Sequence, residues 1–71
     1  MTWEVGDLVY YEVDTEERTG FIVGQLNEEQ ITLAVSLAYV ESYLKLGTYL
    51  VQDFESGLRG MARGDILKEL K

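Results

Sequence analysis

The sequence predicts a mostly β domain, five short strands folded into a small barrel, with one inserted amphipathic helix and a short helical turn at the end. Three observations predict it. Runs rich in β-branched and aromatic residues recur at spacings near ten residues, glycines stand between or inside them, and one stretch, LAYVESYLKL, abandons the strand period for the helical one. With 71 residues there is room for one domain, residues 1–71. Its folded surface should be about 4,500 Å², so roughly 60% of the extended chain's surface can be buried around one thin core.

The elements follow in order. Gly6-Asp7 is a turn before LVYYEV, residues 8–13, whose composition is that of a strand. DTEERTG, residues 14–20, is a polar turn with a glycine exit, and FIVGQL, residues 21–26, is the second strand. Gly24 inside it predicts a bulge or sharp bend. NEEQ, residues 27–30, is a tight connection to ITLAVS, residues 31–36, where Ile31, Leu33 and Val35 alternate with Thr32, Ala34 and Ser36 as in a half-buried strand. Over residues 37–46 a helical wheel puts Leu37, Tyr39, Val40, Tyr43, Leu44 and Leu46 on one half and Ala38, Glu41, Ser42 and Lys45 on the other, which predicts a helix with Ser36 as N-cap and Gly47 as its stop. The alternative is a longer strand, since alternation continues through Tyr39. TYLVQDF, residues 48–54, is the fourth strand, ESG a turn, and LRGMA, residues 58–62, a fifth strand weakened by Gly60. GDILKEL closes the chain, with Asp65 placed to cap a final helical turn.

Composition restricts the chemistry. There is no Cys and no His, so disulfides, thiolate metal sites and an ordinary zinc site are excluded, and so are the commonest general acid–base residue and the best nucleophile. No apolar run approaches the length of a membrane span. The opening MTWEVGDLVYYEV lacks the pattern of a secretory signal, so a cytoplasmic location is the expectation. The net charge of −7 is unevenly spread: residues 1–36 hold eight acids and only Arg18 as a base, whereas residues 37–71 hold five of each. Such a field opposes direct binding to nucleic acid and favours a basic protein partner, and no membrane association is expected.

Three segments together, VGDLVYYE, GFIVGQL and ESGLRGMARGDILKEL, resemble the pattern of SH3-like small barrels, the class that includes Tudor-like, KOW-like and PemK-type toxin barrels. The resemblance implies a Gly-Asp opening strand one, a glycine opening strand two, and an acidic-glycine turn before a last strand and helical turn with a closing apolar pair, here Ile66 and Leu70. The helix at residues 37–46 departs from the minimal barrel. The PemK-type comparison would imply ribonuclease activity, but Arg18 is followed by Thr19 where that family has Arg-Pro, and the chain has no Pro.

No catalytic, metal or cofactor residues are therefore expected. The window DTEERTGFIVGQ has Gln25 where a calcium loop of the EF-hand kind needs its final acid, so it reads as a solvated hairpin tip. Arg63-Gly64-Asp65 reads as a turn and cap rather than an adhesion tripeptide. The expected function is a non-enzymatic binding module that meets a basic protein surface, in its narrowest form a phage-type inhibitor imitating a phosphate backbone. Glu12, Asp14, Glu16, Glu17, Glu28 and Glu29 would carry the charge, and Tyr10, Tyr11 and Trp3 the contact area. One of the two adjacent tyrosines must face outward. Surplus apolar surface on the helix points to a homo-oligomer interface at Tyr39, Tyr43 and Leu46. The alternatives are a homo-oligomer that sandwiches a nucleotide-like ligand, with Arg59 or Arg63 meeting its phosphate, an inactive PemK-type fold, and a subunit of a larger assembly.

Overall fold

The computed structural model describes residues 2–70. It is mostly β, one antiparallel sheet of five strands with two helices. The strands are β1 (Leu8–Val13), β2 (Glu16–Gln25), β3 (Thr48–Asp53), β4 (Arg59–Arg63) and β5 (Lys68–Glu69), in the order β4-β3-β2-β1-β5. The helices α1 (Glu28–Ala34) and α2 (Leu37–Leu46) lie between the paired strands β2 and β3, and a 3-10 turn (Gly64–Ile66) separates β4 from β5. The sheet does not close: β4 and β5 are its two edges, where a barrel would join them.

Strand one, the helix at 37–46 and the two strands after it stand where the sequence places them. Gly24 follows a register shift in β2, the bulge its position predicts. Gly47 ends α2 at φ 81°, a conformation that favours glycine. Ser36 occupies the N-cap position of α2 without a side-chain capping bond.

Three expectations are corrected. ITLAVS is not a strand; most of it is α1. The deciding signal lies in NEEQ, which is a capping box: the Asn27 side chain accepts from the Gln30 N–H and the Gln30 side chain from the Asn27 N–H, both at 2.9 Å. Glu28 and Glu29 fall in the first turn, where the helix dipole favours acids. The residues that alternated as an inward face separate as a helix requires, Ile31 at 1% exposure and Leu33 at 85%. Second, the polar turn at 14–20 shrinks to Asp14 and Thr15, and Glu16–Gly20 extend β2 opposite β1. Both turn residues have positive φ, 49° and 69°, as a two-residue hairpin matching strand twist requires. Third, the last segment is a 3-10 turn followed by β5, and it is Leu67 that is buried while Ile66 stays exposed. The inserted helices consequently follow the second strand, not the third, and β5 supplies the fifth strand.

One face of the sheet carries the core of Trp3, Val9, Ile22, Tyr49, Val51, Ala62 and Leu67, with Tyr11 packed against it. Gly20 pairs with Asp53 across β2 and β3, and a Cβ there would collide with the Gln52 carbonyl oxygen. Trp3 fastens the chain start to the far end of the sheet, its N–H donating to the Tyr49 hydroxyl at 3.2 Å and its indole Nε1 to the Gly64 carbonyl at 3.3 Å. Ile31 is buried apart from this core, in the helical pair.

A pair of substitutions separates the helical pattern from the strand pattern for residues 31–35. In urea denaturation, Ile31→Ala should destabilise the fold by about 2–5 kcal/mol. Leu33→Ala should change it by less than about 0.5 kcal/mol, whereas a strand would lose comparable stability at both positions.

Candidate functional site

The β1–β2 register decides which acids meet. Tyr10 pairs with Thr19 and Glu12 with Glu17, and since residues two apart share a face, Tyr10, Glu12 and Glu17 stand on the same side of the hairpin. Glu12 and Glu17 are like charges directly opposite each other, an arrangement that destabilises an antiparallel pair. Val13 pairs with Glu16, and Asp14 stands in the turn. Glu28 and Glu29 belong to the first turn of α1, beyond the other end of β2. Ten residues of extended chain span about 30 Å. The fold therefore gathers Glu12, Asp14, Glu16 and Glu17 at one tip and leaves Glu28 and Glu29 elsewhere.

The tyrosines divide between the faces. Tyr11 lies on the core side, half-buried, and its hydroxyl donates to Asp53 Oδ2 at 3.1 Å. Tyr10 lies on the other side with the Lys68 ammonium 5.7 Å from its ring centre, within reach of cation–π attraction. Between hairpin and C-terminal segment runs a groove of about 220 Å³ lined by Tyr10, Tyr11, Glu12, Glu17, Ile66 and Lys68. A second, apolar groove of about 140 Å³ adjoins it, sharing Tyr11 and Ile66 and adding Val13, Val51, Met61 and Ala62 among its walls. Trp3, expected to supply contact area, is 7% exposed and spends its surface on the core instead. Ile66 and Lys68 were not among the expected site residues; Ile-Leu-Lys-Glu-Leu, residues 66–70, carries no strand alternation, and Lys68 comes beside Tyr10 only through the β1–β5 pairing.

Tyr11 connects to a polar anchor on the core side. Asp53 accepts from Arg18 Nε at 2.6 Å and Nη2 at 3.2 Å, from Tyr11, from the Glu55 and Ser56 N–H groups at 2.9 and 2.8 Å, and from the Ser56 hydroxyl at 3.2 Å. The Arg18 bonds, then the Ser56 N–H, hold its carboxyl well below the usual carboxylate range. Burial, then the hydrogen bond and charge of Asp53, raises the Tyr11 phenol above its ordinary 10.0. Arg18 also pairs with Glu16 at 3.5 Å, so it links the anchor to one acid of the tip, with Asp53 the tighter partner.

The residues expected at an oligomer interface lie on α2, none of whose residues is buried. Tyr39 is 59% exposed and Leu46 39%, while Tyr43 is half-buried beneath Arg63, whose guanidinium is 5.6 Å from its ring centre. Arg63 also pairs with Asp65 at 2.6 Å and reaches the Ser42 hydroxyl at 3.3 Å, so it clips α2 to the sheet. Arg59 donates to the Gln52 side chain at 2.9 Å. Among the described residues no group of three or more acidic side chains converges as a metal site, and no helix is long and apolar enough to cross a membrane.

The Asp53 anchor has a pH signature. Its folded carboxyl titrates below its ordinary value of 3.8, so the stability it contributes is complete above that value and is lost as pH falls through it toward the folded one. The difference in urea midpoint between the wild type and Asp53→Asn should be large at pH 7 and shrink steadily below about pH 4; parallel pH profiles for the two proteins would dismiss the anchor. No protein-family model, curated protein or solved structure matches the chain.

Proposed function

We propose that this chain is a non-enzymatic binding module whose β1–β2 hairpin engages a basic surface of a protein partner. One observation carries the reading. Glu12 and Glu17 face each other across the hairpin, and among the described residues neither takes part in an ion pair. Two facing carboxylates destabilise the isolated hairpin, and a cationic surface would turn that repulsion into attraction. Asp14 and Glu16 add charge at the same tip. Thr15, β-branched at φ 69°, adds backbone strain there.

In this reading the open sheet is a variant of the SH3-like small barrel. The order β4-β3-β2-β1-β5, with the first strand between the second and the last, and the 3-10 turn before β5 support that assignment. A cytoplasmic site of action belongs to the same proposal. In the narrower version the acidic tip stands in for a phosphate backbone and blocks a nucleic-acid-binding groove, as a phage-type inhibitor would.

A second reading, self-association through the helices, is favoured by a specific observation. Leu37 is 81% exposed, Leu33 85% and Tyr39 59%. They present an apolar surface of the kind that marks interaction sites. α2 itself holds one acid, Glu41, and one base, Lys45, so two copies of it meet without net repulsion.

Reversal of Glu12, Asp14, Glu16 and Glu17 to lysine tests the first reading. The partner retained by the wild type at low salt should be released by roughly 0.3 M salt, where exposed charges are screened over a few ångströms, and the reversed protein should retain it at least tenfold more weakly. Unchanged retention at low salt would sink the reading. Sedimentation of the wild type and Leu37→Glu separates the second: a dimer that the substitution dissociates supports it, and a wild-type monomer at about 100 μM removes it.

A further inference from the structure

We propose that the groove between Tyr10 and Ile66 seats the end of one lysine or arginine side chain from an extended segment of the partner, and that Lys68 occupies that cation's place in the free protein. This rests on the acidic-hairpin reading and names what the hairpin recognises. The groove has the three parts such a side chain needs: an aromatic face on Tyr10, two carboxylates on Glu12 and Glu17, and an apolar wall on Ile66 for the methylene stem. Lys68 already shows what the ring accepts, with its ammonium 5.7 Å from the centre. Among the described residues Lys68 forms no ion pair, and its strand β5 has two residues, so its side chain can leave the ring without disturbing the sheet.

The adjoining apolar groove fixes the rest of the partner's chemistry. Its walls, among them Val13, Val51, Met61 and Ala62, carry no charge, and it opens from the cation groove at Tyr11 and Ile66. A segment lying along both therefore places a hydrophobic side chain next to its cationic one. Lys68 acts as a competitor: while it lies over Tyr10 it covers the ring, and the partner's cation must displace it.

The probe is a fluorescein-labelled, acetylated peptide alternating lysine and leucine, read by anisotropy at low and moderate salt, with norleucine in place of lysine as control. Lys68→Ala should tighten binding about threefold to tenfold. Lys45→Ala on α2 removes the same charge far along the chain and should leave affinity within about twofold, which separates displacement from the generic gain of one negative charge. Glu12→Gln with Glu17→Gln should weaken binding at least tenfold, Tyr10→Leu severalfold, and Glu28→Gln with Glu29→Gln little. The ring-current shift of the Lys68 side-chain protons should vanish when peptide is added, a readout that a merely structural role for Lys68 would not give. If Lys68→Ala equals Lys45→Ala and the Lys68 resonances stay in place, the groove proposal is wrong. If in addition the four-residue charge reversal still abolishes binding, the acidic hairpin survives without it. If neither peptide binds at low salt, both readings fall.

Discussion

A single carboxylate organises the sheet. Asp53 ends β3 with its side chain 8% exposed, and from there it holds Tyr11 of β1, Arg18 of β2 and the N–H groups that open the turn into β4. Burying a carboxylate is unfavourable unless it is paired and hydrogen-bonded, and six donor contacts meet that condition. The demand propagates. Gly20 must be glycine because its neighbour across the ladder brings the Gln52 carbonyl against it. Arg18 must lie on the core side of the hairpin, where alternation from Gly20 and Ile22 places it. The acid that draws Arg18 inward comes from the neutral half of the chain. Its effect is to commit the only base of residues 1–36 to the core side of the hairpin, where it holds Asp53 and Glu16 and leaves Glu12 and Glu17 without an ion pair among the described residues.

The helical pair has a different relation to the sheet. It joins two strands that already pair, so a short turn would have sufficed, and β2 and β3 do not depend on it for their register. Its attachment is local: the Thr48 hydroxyl on the Tyr43 carbonyl at 3.0 Å, Gly64 N–H on the Gly47 carbonyl at 2.8 Å, and Arg63 over Tyr43. Gly64 is needed at that junction, since a Cβ would stand 2.5 Å from the Leu46 carbonyl oxygen. The chain exposes 5092 Å², more than the roughly 4,500 Å² expected for its mass. An open sheet and a helix with no buried residue account for the excess in kind.

Much of this was legible in the sequence where local chemistry and tertiary demand agree. LVYYEV is a strand by composition and by pairing, and LAYVESYLKL followed by glycine is a helix by period and by stop. The failures have a common cause: a short apolar alternation fits either period. Ile31 and Val35 are two strand steps apart twice over, and they are also one helical turn apart, so only the capping box in NEEQ distinguishes the cases. The polar run EERTG concealed a strand because its inward residue is an arginine, which becomes a core-side residue only once Asp53, 35 positions away, is brought opposite. Lys68 was invisible for the same reason, since its place over Tyr10 arises from the β1–β5 pairing. Of the expected acidic face, the four tip residues could be grouped from sequence proximity. Glu28 and Glu29 could not be separated from them without knowing that β2 runs extended from Glu16 to Gln25 between them.

Stability and recognition meet at the hairpin, and they make opposite demands on it. A fold with so thin a core gains nothing from facing Glu12 with Glu17 or from turning on a threonine at φ 69°. Both features are nonetheless held in place by pairing that continues down β1 and β2 to the Asp53 anchor, where repulsion is absent and the donors are satisfied. The anchor ties the strands below the tip; Glu12 and Glu17 face each other above it without an ion pair among the described residues; the short β5 brings one cation to its edge. A paired hairpin with a groove already lined by acids and an aromatic ring, and a cation for the partner to displace, pre-forms the geometry a basic segment would otherwise have to organise on binding, and preorganisation of that kind lowers the entropy lost in recognition. The local conflict at the tip and the satisfied network beneath it are therefore two halves of one arrangement, in which the core supplies the order that the exposed carboxylates alone could not keep.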